Sequence, residues 1–259
     1  MRTFLNAIIV VVIPVAEFIA LRRIGINGGG VFLLIFATMA VLLVWAAKQD
    51  GRANQLRLQK GAASFGFQPA DRDDVALSIY PLNGNGWVVA AAHGELRGLE
   101  AWFFDYCIHD QGSASGRNVC QTVVAFRVDD ADLPTFQIRP LDWSTSIFDY
   151  PRWKNFDGDW EKSDDTICFP DALPFHQRFE MMSIGEEGVR RLFNARLLDT
   201  IAALNDCNCV VKGCSTTVLF FTPDKLLRPD EYEAFARKGA DIAYALFSSE
   251  KRVMAAAGK

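Results

Sequence analysis

Two long apolar runs near the start constrain this chain more than any other feature of its sequence. They cover Phe4 to Leu21 and Val31 to Ala47. Each run approaches the length of about 20 residues that a helix needs to cross the hydrocarbon core of a bilayer. The nine residues between them, RRIGINGGG, are rich in arginine and glycine and can turn in water. The sequence therefore predicts a transmembrane helical hairpin over residues 1–48.

A cleaved signal peptide is the alternative interpretation of the first run. Such a peptide begins with a positively charged segment and ends at a cleavage site after small residues. Here Arg2 is the only basic residue before the run, and the run continues directly into Arg22 and Arg23. A second apolar run follows at once. These features favour a retained membrane anchor.

The distribution of lysine and arginine around the hairpin predicts its orientation, because cytoplasmic flanks carry an excess of these residues. The turn between the runs carries two arginines. The outer flanks carry five basic residues, Arg2, Lys48, Arg52, Arg57 and Lys60. We therefore expect a multi-pass protein of a bacterial inner (cytoplasmic) membrane, with both termini in the cytoplasm.

One acidic residue, Glu17, lies within the first apolar run. A carboxylate at the centre of a bilayer costs about 2.5 to 3.5 kcal/mol, so such a residue is a candidate functional site. The alternative is that Glu17, near the end of its helix, reaches the headgroup zone or pairs with Arg22. The sequence leaves both interpretations open.

The charge balance excludes nucleic acid as an expected partner. The chain has 27 basic and 31 acidic residues, without the basic stripe that releases counterions from a phosphate backbone. Its six cysteines would be reduced thiols in the cytoplasm. The group Cys207, Cys209 and Cys214 lacks the fourth ligand and the C-x2-C spacing of a closed zinc site. The sequence thus predicts neither a metal nor another cofactor.

The rest of the chain predicts an α+β fold, with a juxtamembrane helix and linker over residues 49–75 and a cytosolic α+β domain over residues 76–259. Strand-like and helix-like segments are grouped rather than alternating, which favours an antiparallel sheet over βαβ units. The sequence from Gln49 to Gln59 predicts that the helix of the second apolar run continues beyond it. Short connections predict a meander of four strands, Trp87 to His93, Arg97 to Ile108, Val119 to Val128 and Phe136 to Arg139.

Helices dominate the prediction after Ser183. Ser183 and Glu186 have the spacing of a capping box, which would start a helix. A hairpin about Gly213 follows, and then a final helix that begins near Pro229 and has a frayed tail from Ser248. One face of that helix is apolar and comprises Tyr232, Phe235, Ala236, Ile242, Ala243, Leu246 and Phe247.

The candidate binding residues are four aromatics, Trp143, Tyr150, Trp153 and Trp160. Such rings can line a ligand cleft, rest at the headgroup level of a membrane, or close a core beneath a long loop. Core packing is the plainer alternative, because aromatic side chains usually lie inside a protein. Proline and glycine within this stretch predict an irregular loop, with at least one of Trp153 and Trp160 exposed.

No recognisable catalytic set occurs in the sequence. His93, His109 and His176 are scattered, and there is no G-x-S-x-G motif. If the protein were an enzyme, its site would lie in a cleft near Phe103, Asp105, His109 and the aromatic-rich loop. This cleft is the candidate site for an activity that has no recognisable motif in the sequence.

Three segments resemble an uncharacterised family of bacterial membrane proteins. They are HGELRGLEAWFFDYCIHDQG, CQTVVAFRVDDADLPTFQIRP and FHQRFEMMSIGEEGVRRLF, which lie within Gly86 to Phe193. In that family a short membrane hairpin precedes a cytosolic domain with an FDY strand, a TVV strand and an LP-x-F segment. The resemblance implies the same architecture here and supplies neither an activity nor site residues. The stretch from Trp143 to Trp160 departs from the family's pattern.

These observations predict a membrane-anchored binding or scaffolding protein. Its expected partners are the lipid bilayer and an unknown protein or a second copy of the chain. Two alternatives stay open: a membrane-associated enzyme with a site near the aromatic-rich loop, and an accessory subunit of a membrane complex. A flat exposed aromatic patch favours binding, whereas a deep pocket with convergent polar groups favours the enzyme.

Overall fold

The computed structural model describes residues 28–78, 86–109, 118–141, 166–183, 185–203 and 208–257. The chain divides into two compact units, Met1–Leu56 and Arg57–Lys259. Several predictions fall outside the described residues. They are the first apolar run with Glu17, and the four aromatics Trp143, Tyr150, Trp153 and Trp160.

The described elements follow one another along the chain as a long helix, a group of strands, short helices and a final long helix. They are α1 (Gly28–Ala63), β1 (Gln68–Pro69), α2 (Arg72–Ser78), β2 (Gly86–Leu96), β3 (Leu99–His109), β4 (Asn118–Arg127), β5 (Leu133–Pro140), α3 (Leu173–His176), β6 (Phe179–Ser183), α4 (Glu186–Leu192), α5 (Ala195–Ala202), β7 (Val210–Ser215), β8 (Thr217–Phe221) and α6 (Tyr232–Ala257).

Helix α1 contains both the second apolar run and the predicted extension Gln49 to Gln59. The helical conformation expected for these two segments is therefore confirmed. Within the described part of the chain, no helix has the length and apolar character required to cross a membrane. The transmembrane hairpin stays a prediction.

The described strands form one eight-stranded sheet in the order β1-β2-β3-β4-β8-β7-β5-β6. Every neighbouring pair is antiparallel, so the predicted α+β class with an antiparallel sheet is confirmed. The predicted meander is confirmed for β2, β3 and β4. The prediction that β5 continues it is wrong, because β8 occupies the free edge of β4 from Val123 to Arg127. Strand β5 pairs instead with β6 and β7.

The turn between β2 and β3 consists of Arg97 and Gly98, which join the pair Leu96 and Leu99. Both turn residues have positive φ, 54° for Arg97 and 75° for Gly98. This is the conformation that lets a two-residue turn follow the right-handed twist of its strands. The turn therefore fixes the register of β2 against β3.

The predicted hairpin after residue 206 exists, but its turn is not at Gly213. The turn consists of Ser215, which has a φ of 52°, and Thr216. Gly213 lies inside β7, where a Cβ would overlap the ring of Phe136 on β5. The glycine is therefore required by close packing between strands rather than by a turn.

One face of the sheet packs against helices. Strands β2, β3, β4 and β8 supply residues such as Phe103, Val124, Phe126 and Phe220 to this core. The predicted apolar face of the final helix is buried in it and is confirmed: Tyr232, Phe235, Ala236, Ile242, Ala243, Leu246 and Phe247. The apolar periodicity of a helix thus identified the side that faces the sheet.

The frayed tail predicted from Ser248 is wrong. Helix α6 continues to Ala257. The Ser249 hydroxyl, which is buried, donates to the Leu192 carbonyl at 2.8 Å. The Glu250 carboxylate accepts from the Asp132 amide at 3.4 Å. These contacts hold polar residues of the last turns against the domain.

The opposite face of the sheet carries a second, smaller apolar cluster. It includes Trp102, Phe104 and Tyr106 of β3, and Val75 of α2 packs against it. Strand β3 therefore alternates between the two cores, with Phe103 and Asp105 on the helix side and the other three residues on the second side. Burial on both faces explains why the strand lacks a simple apolar–polar alternation.

The capping box predicted at Ser183 is wrong. Ser183 is the last residue of β6, and its hydroxyl donates to the Thr135 carbonyl at 2.8 Å and accepts from the Gly185 amide at 3.0 Å. Helix α4 begins after Gly185 without a side-chain cap. A cap does occur one helix later, where the Asn194 side chain accepts from the Leu197 amide at 3.0 Å.

The prediction that the six cysteines are reduced thiols is wrong. Cys107 and Cys120 form a disulfide between β3 and β4, and Cys209 is also disulfide-bonded. Among the described cysteines, Cys168 and Cys214 are free thiols. The prediction failed because it followed from the assumed compartment, whereas strand register places Cys107 and Cys120 directly opposite each other.

We expect Gly213→Ala to destabilise the domain by about 1 to 3 kcal/mol, because the added methyl group must displace the Phe136 ring in a packed core. Gly185→Ala is the matched control, since a Cβ there meets no atom within 4 Å. Chemical unfolding of both variants measures the difference. Equal stability of the two variants would contradict the close packing of Gly213.

Candidate functional site

Asp105 on β3 carries a carboxylate and is one of the few charged residues buried in the described structure. Asp105 is 1 % exposed and lies on the helix-facing side of the sheet beside Phe103. A carboxylate in such a place is stable only with hydrogen-bond or charge partners. Asp105 has direct partners from two other parts of the chain, and a third part bonds those partners.

Two side chains contact the Asp105 carboxylate directly. Arg57, near the end of α1, forms an ion pair with Oδ2. The Thr122 hydroxyl donates to Oδ1 at 2.7 Å. Thr122 stands directly opposite Asp105 in the β3–β4 ladder, so sheet register alone brings these two together. Arg57 is placed by the packing of α1 residues such as Leu58, which is fully buried.

The loop between β8 and α6 completes the polar contacts. The Leu227 amide donates to the Thr122 hydroxyl oxygen at 3.0 Å, and the Leu227 carbonyl accepts from Arg57 at 3.3 Å. The Thr122 amide donates to the Lys225 carbonyl at 2.9 Å. We call Arg57, Asp105, Thr122, Leu227 and Tyr232 the Asp105 cluster.

Hydrogen bonds to Glu231 stabilise the conformation of this loop. Its carboxylate accepts from the Arg228 amide at 2.8 Å and from the Lys225 ammonium at 2.9 Å. The bond from the Arg228 amide, with that from Lys225, lowers the pKa of Glu231 to about 2. The loop that carries Leu227 is thus fixed by a charged hydrogen-bond acceptor at the start of α6.

Tyr232 covers the cluster from the helix side. Its ring lies 4.7 Å from the Phe103 ring between centroids. Its hydroxyl is buried and has no hydrogen-bond partner in the described structure. Burial, and then the nearby Asp105 charge, raises the pKa of Tyr232 to about 12. The phenol is therefore neutral at physiological pH.

Opposing effects act on Asp105 itself. Burial raises the pKa of this carboxyl, and the Thr122 hydrogen bond and the Arg57 charge oppose the rise. Burial is the largest of these effects. The cluster therefore joins a titratable group of the sheet to the last turns of α1, from Arg57 to Ala63. It does not present a carboxylate to solvent.

The structure brings together only part of the predicted enzyme cleft. Phe103 and Asp105 are neighbours on one face of β3, but both are buried. The other described histidines lie elsewhere: His93 contacts Glu100 at 3.0 Å, and the His176 ring accepts from the Phe169 amide at 2.8 Å. The described residues contain no group of three or more His, Cys, Asp or Glu side chains that could hold a metal ion.

Sequence reasoning missed the link between Arg57 and Asp105. The two residues are 48 positions apart and belong to no common motif. A signal was present in β3, where Asp105 follows Phe103 at a position that strand periodicity turns toward the same side. The partner on α1 could not be identified without the three-dimensional packing.

Two large apolar side chains are exposed on the strand next to β3 and on the loop that carries Leu227. Trp87, on β2 opposite Cys107, is 43 % exposed. Leu226, which precedes Leu227 in the loop, is 39 % exposed. We call Trp87 and Leu226 the Trp87 patch. Exposed rings of this type are enriched where proteins bind partners.

Comparison with known proteins gives one distant likeness. No protein-family model matches the chain, and no curated protein matches it. The fold resembles the crystal structure of the mycobacterial trehalose monomycolate transport factor A, TtfA, with 15 % sequence identity and a TM-score of 0.46. The match covers 75 % of this chain and 97 % of that one. At this distance the likeness assigns no function or site residue.

We expect Asp105→Ala to cost about 3 kcal/mol of stability, since it leaves Arg57 and Thr122 without their shared partner. This is the lower end of the range for buried pairs, because the Arg57 side chain is 30 % exposed. Tyr232→Phe is the control and should change stability by less than about 0.5 kcal/mol, since its hydroxyl has no partner to lose. Urea unfolding in detergent compares them. A large loss in Tyr232→Phe would contradict this account.

The loop contacts predict a pH dependence. The folded-state pKa of Glu231 lies below its ordinary value of 4.5, at about 2. Glu231 therefore stabilises the fold above pH 4.5, and this contribution disappears as the pH falls through 2. The stability difference between the wild type and Glu231→Gln should shrink over that interval. A difference that stays constant between those two pH values would show that the carboxylate is not held as described.

Proposed function

We propose that this chain is a membrane-anchored binding or scaffolding protein. The observation that carries the proposal is the fixation of the end of α1 by the Asp105 cluster. Arg57 belongs to the helix that also contains the second apolar run, and its partner is a buried carboxylate of the sheet. The last turns of α1, from Arg57 onward, are therefore part of the compact unit that contains the sheet.

The apolar runs support the anchor. Residues 4–21 and 31–47 have the length and composition for a hairpin in the lipid bilayer. The excess of basic residues on the outer flanks favours a bacterial inner membrane with both termini in the cytoplasm. A permanently closed disulfide is uncommon in that compartment. The proposed orientation therefore requires that the Cys107–Cys120 bond can be opened.

The Trp87 patch supports a binding role for the domain. Trp87 offers an exposed aromatic ring, and Trp is enriched among the hot spots of protein interfaces. Leu226 adds a second exposed apolar side chain, on the loop that carries Leu227. The aromatics Trp143, Tyr150 and Trp153, together with Trp160, are proposed as a second part of the binding surface. The partner is a protein or a second copy of the chain, because the exposed groups are mainly apolar and aromatic.

Site-specific photocrosslinking in cells tests the binding role. A photoreactive residue in place of Trp87 should give a discrete crosslinked species, whereas one in place of Tyr244 on α6 should not. Tyr244 is a matched control because it is an aromatic residue with 51 % exposure. Identification of the adduct distinguishes a second copy from another protein. Equal crosslinking from both positions, or none from position 87, would argue against the patch.

The anchor is tested independently. The full chain should stay in the membrane pellet after alkaline carbonate extraction, and a reporter fused after Lys259 should be active only as a cytoplasmic fusion. Release by carbonate would refute the anchor. Activity of a periplasmic reporter would refute the orientation while leaving the anchor intact.

A further inference from the structure

The disulfide between Cys107 and Cys120 lies on the same face of the sheet as the Asp105 cluster. Cys107 is two residues beyond Asp105 on β3, and Cys120 is two residues before Thr122 on β4. Each cysteine faces the other across the ladder, as do Asp105 and Thr122. The Cα atoms of the two cysteines are 4.0 Å apart. On this face of the sheet, the cysteines are therefore the next cross-strand pair after Asp105 and Thr122.

The sheet holds these two sulfur atoms together without help from the bond. Strands β3 and β4 form ten consecutive residue pairs, from Glu100 and Arg127 to His109 and Asn118. The cysteine pair is inside this ladder, with pairs on both sides of it. Reduction would remove one covalent link and leave the backbone hydrogen bonds in place. The two thiols would remain opposite each other and could close again.

The two sulfur atoms differ in their access to solvent. Cys107 is 4 % exposed and therefore buried. Cys120 is partly exposed, near the start of β4. An attacking thiolate needs to reach one sulfur atom along the axis of the bond, so Cys120 is the accessible target. Cys107 is then the leaving group.

We propose that Cys107 and Cys120 form a reversible thiol–disulfide exchange site for a low-molecular-weight thiol. The thiolate of the small molecule attacks Sγ of Cys120, the Cys107–Cys120 bond breaks, and Cys107 leaves as a thiolate that takes up a proton. A second thiol molecule attacks the sulfur of the first, which releases the small-molecule disulfide and the Cys120 thiolate. The protein disulfide is reduced by two electrons, and two small-molecule thiols are oxidised to one disulfide.

The neighbouring charges act on the leaving group. Successive residues of a strand rise about 3.4 Å, so the Cα atoms of Asp105 and Cys107 are about 7 Å apart on one face. The Asp105 carboxylate disfavours a thiolate on Cys107, and the Arg57 guanidinium favours it. Asp105→Asn keeps an acceptor for Thr122 and leaves the Arg57 charge unopposed. Reduction of this variant should be at least about threefold faster.

Equilibration of the purified full chain with glutathione buffers of graded potential tests the proposal. Alkylation and peptide mass spectrometry follow Cys107 and Cys120, while far-ultraviolet circular dichroism and thermal unfolding report the fold. We expect a reversible conversion to the dithiol in which the folded spectrum is retained. Two results would each overturn the proposal: loss of the fold on reduction, or resistance of the bond until the chain is unfolded.

Single cysteine variants test the direction of attack. Cys107→Ser leaves the accessible thiol. Its thiolate should attack oxidised glutathione, form a stable mixed disulfide at Cys120 and release one reduced glutathione. Cys120→Ser leaves the buried thiol and should be modified at least about tenfold more slowly, in keeping with its low exposure. Cys168→Ser serves as a control, since it removes an exposed free thiol elsewhere. Equal modification of Cys107 and Cys120 would refute the assigned order of attack.

Discussion

The buried ion pair between Arg57 and Asp105 is the contact on which the arrangement of the described domain depends. It joins the last turns of α1, from Arg57 to Ala63, to the third strand. Thr122 and Leu227 bring the fourth strand and the loop before α6 to the same point. Breaking one side of such a pair is costly, because the other charge stays in a low-dielectric interior. The four segments are therefore held in one arrangement by this set of hydrogen bonds and the ion pair.

Apolar packing alone would not select that arrangement. The helix side of the sheet is lined by aliphatic and aromatic side chains, and hydrophobic cores lose a unique packing before they lose stability. A guanidinium that must reach one carboxylate restricts this packing. A buried ion pair of this kind contributes specificity more than stability, since well-packed apolar residues of the same volume can be as stable.

Sequence patterns predicted those parts of the fold that depend on local periodicity. The β2–β3–β4 meander follows from short connections between neighbouring strands, and the buried face of α6 follows from spacing within one helix. Gly213 and Ser183 were misassigned, because one serves packing against Phe136 and the other bonds the Thr135 carbonyl. Both roles depend on a neighbour distant in sequence. The pairing of Arg57 with Asp105 also depends on residues distant in sequence, since the two are 48 residues apart. The predicted aromatic site lies outside the described residues.

The β3–β4 ladder explains why a charged cluster and a disulfide can occur side by side. Asp105 and Thr122 form one cross-strand pair, and Cys107 and Cys120 form the next pair on that face. A ladder with hydrogen bonds on both sides resists changes in register, because a slip by one residue would turn every buried side chain to the wrong face. The bond can therefore open without moving Asp105.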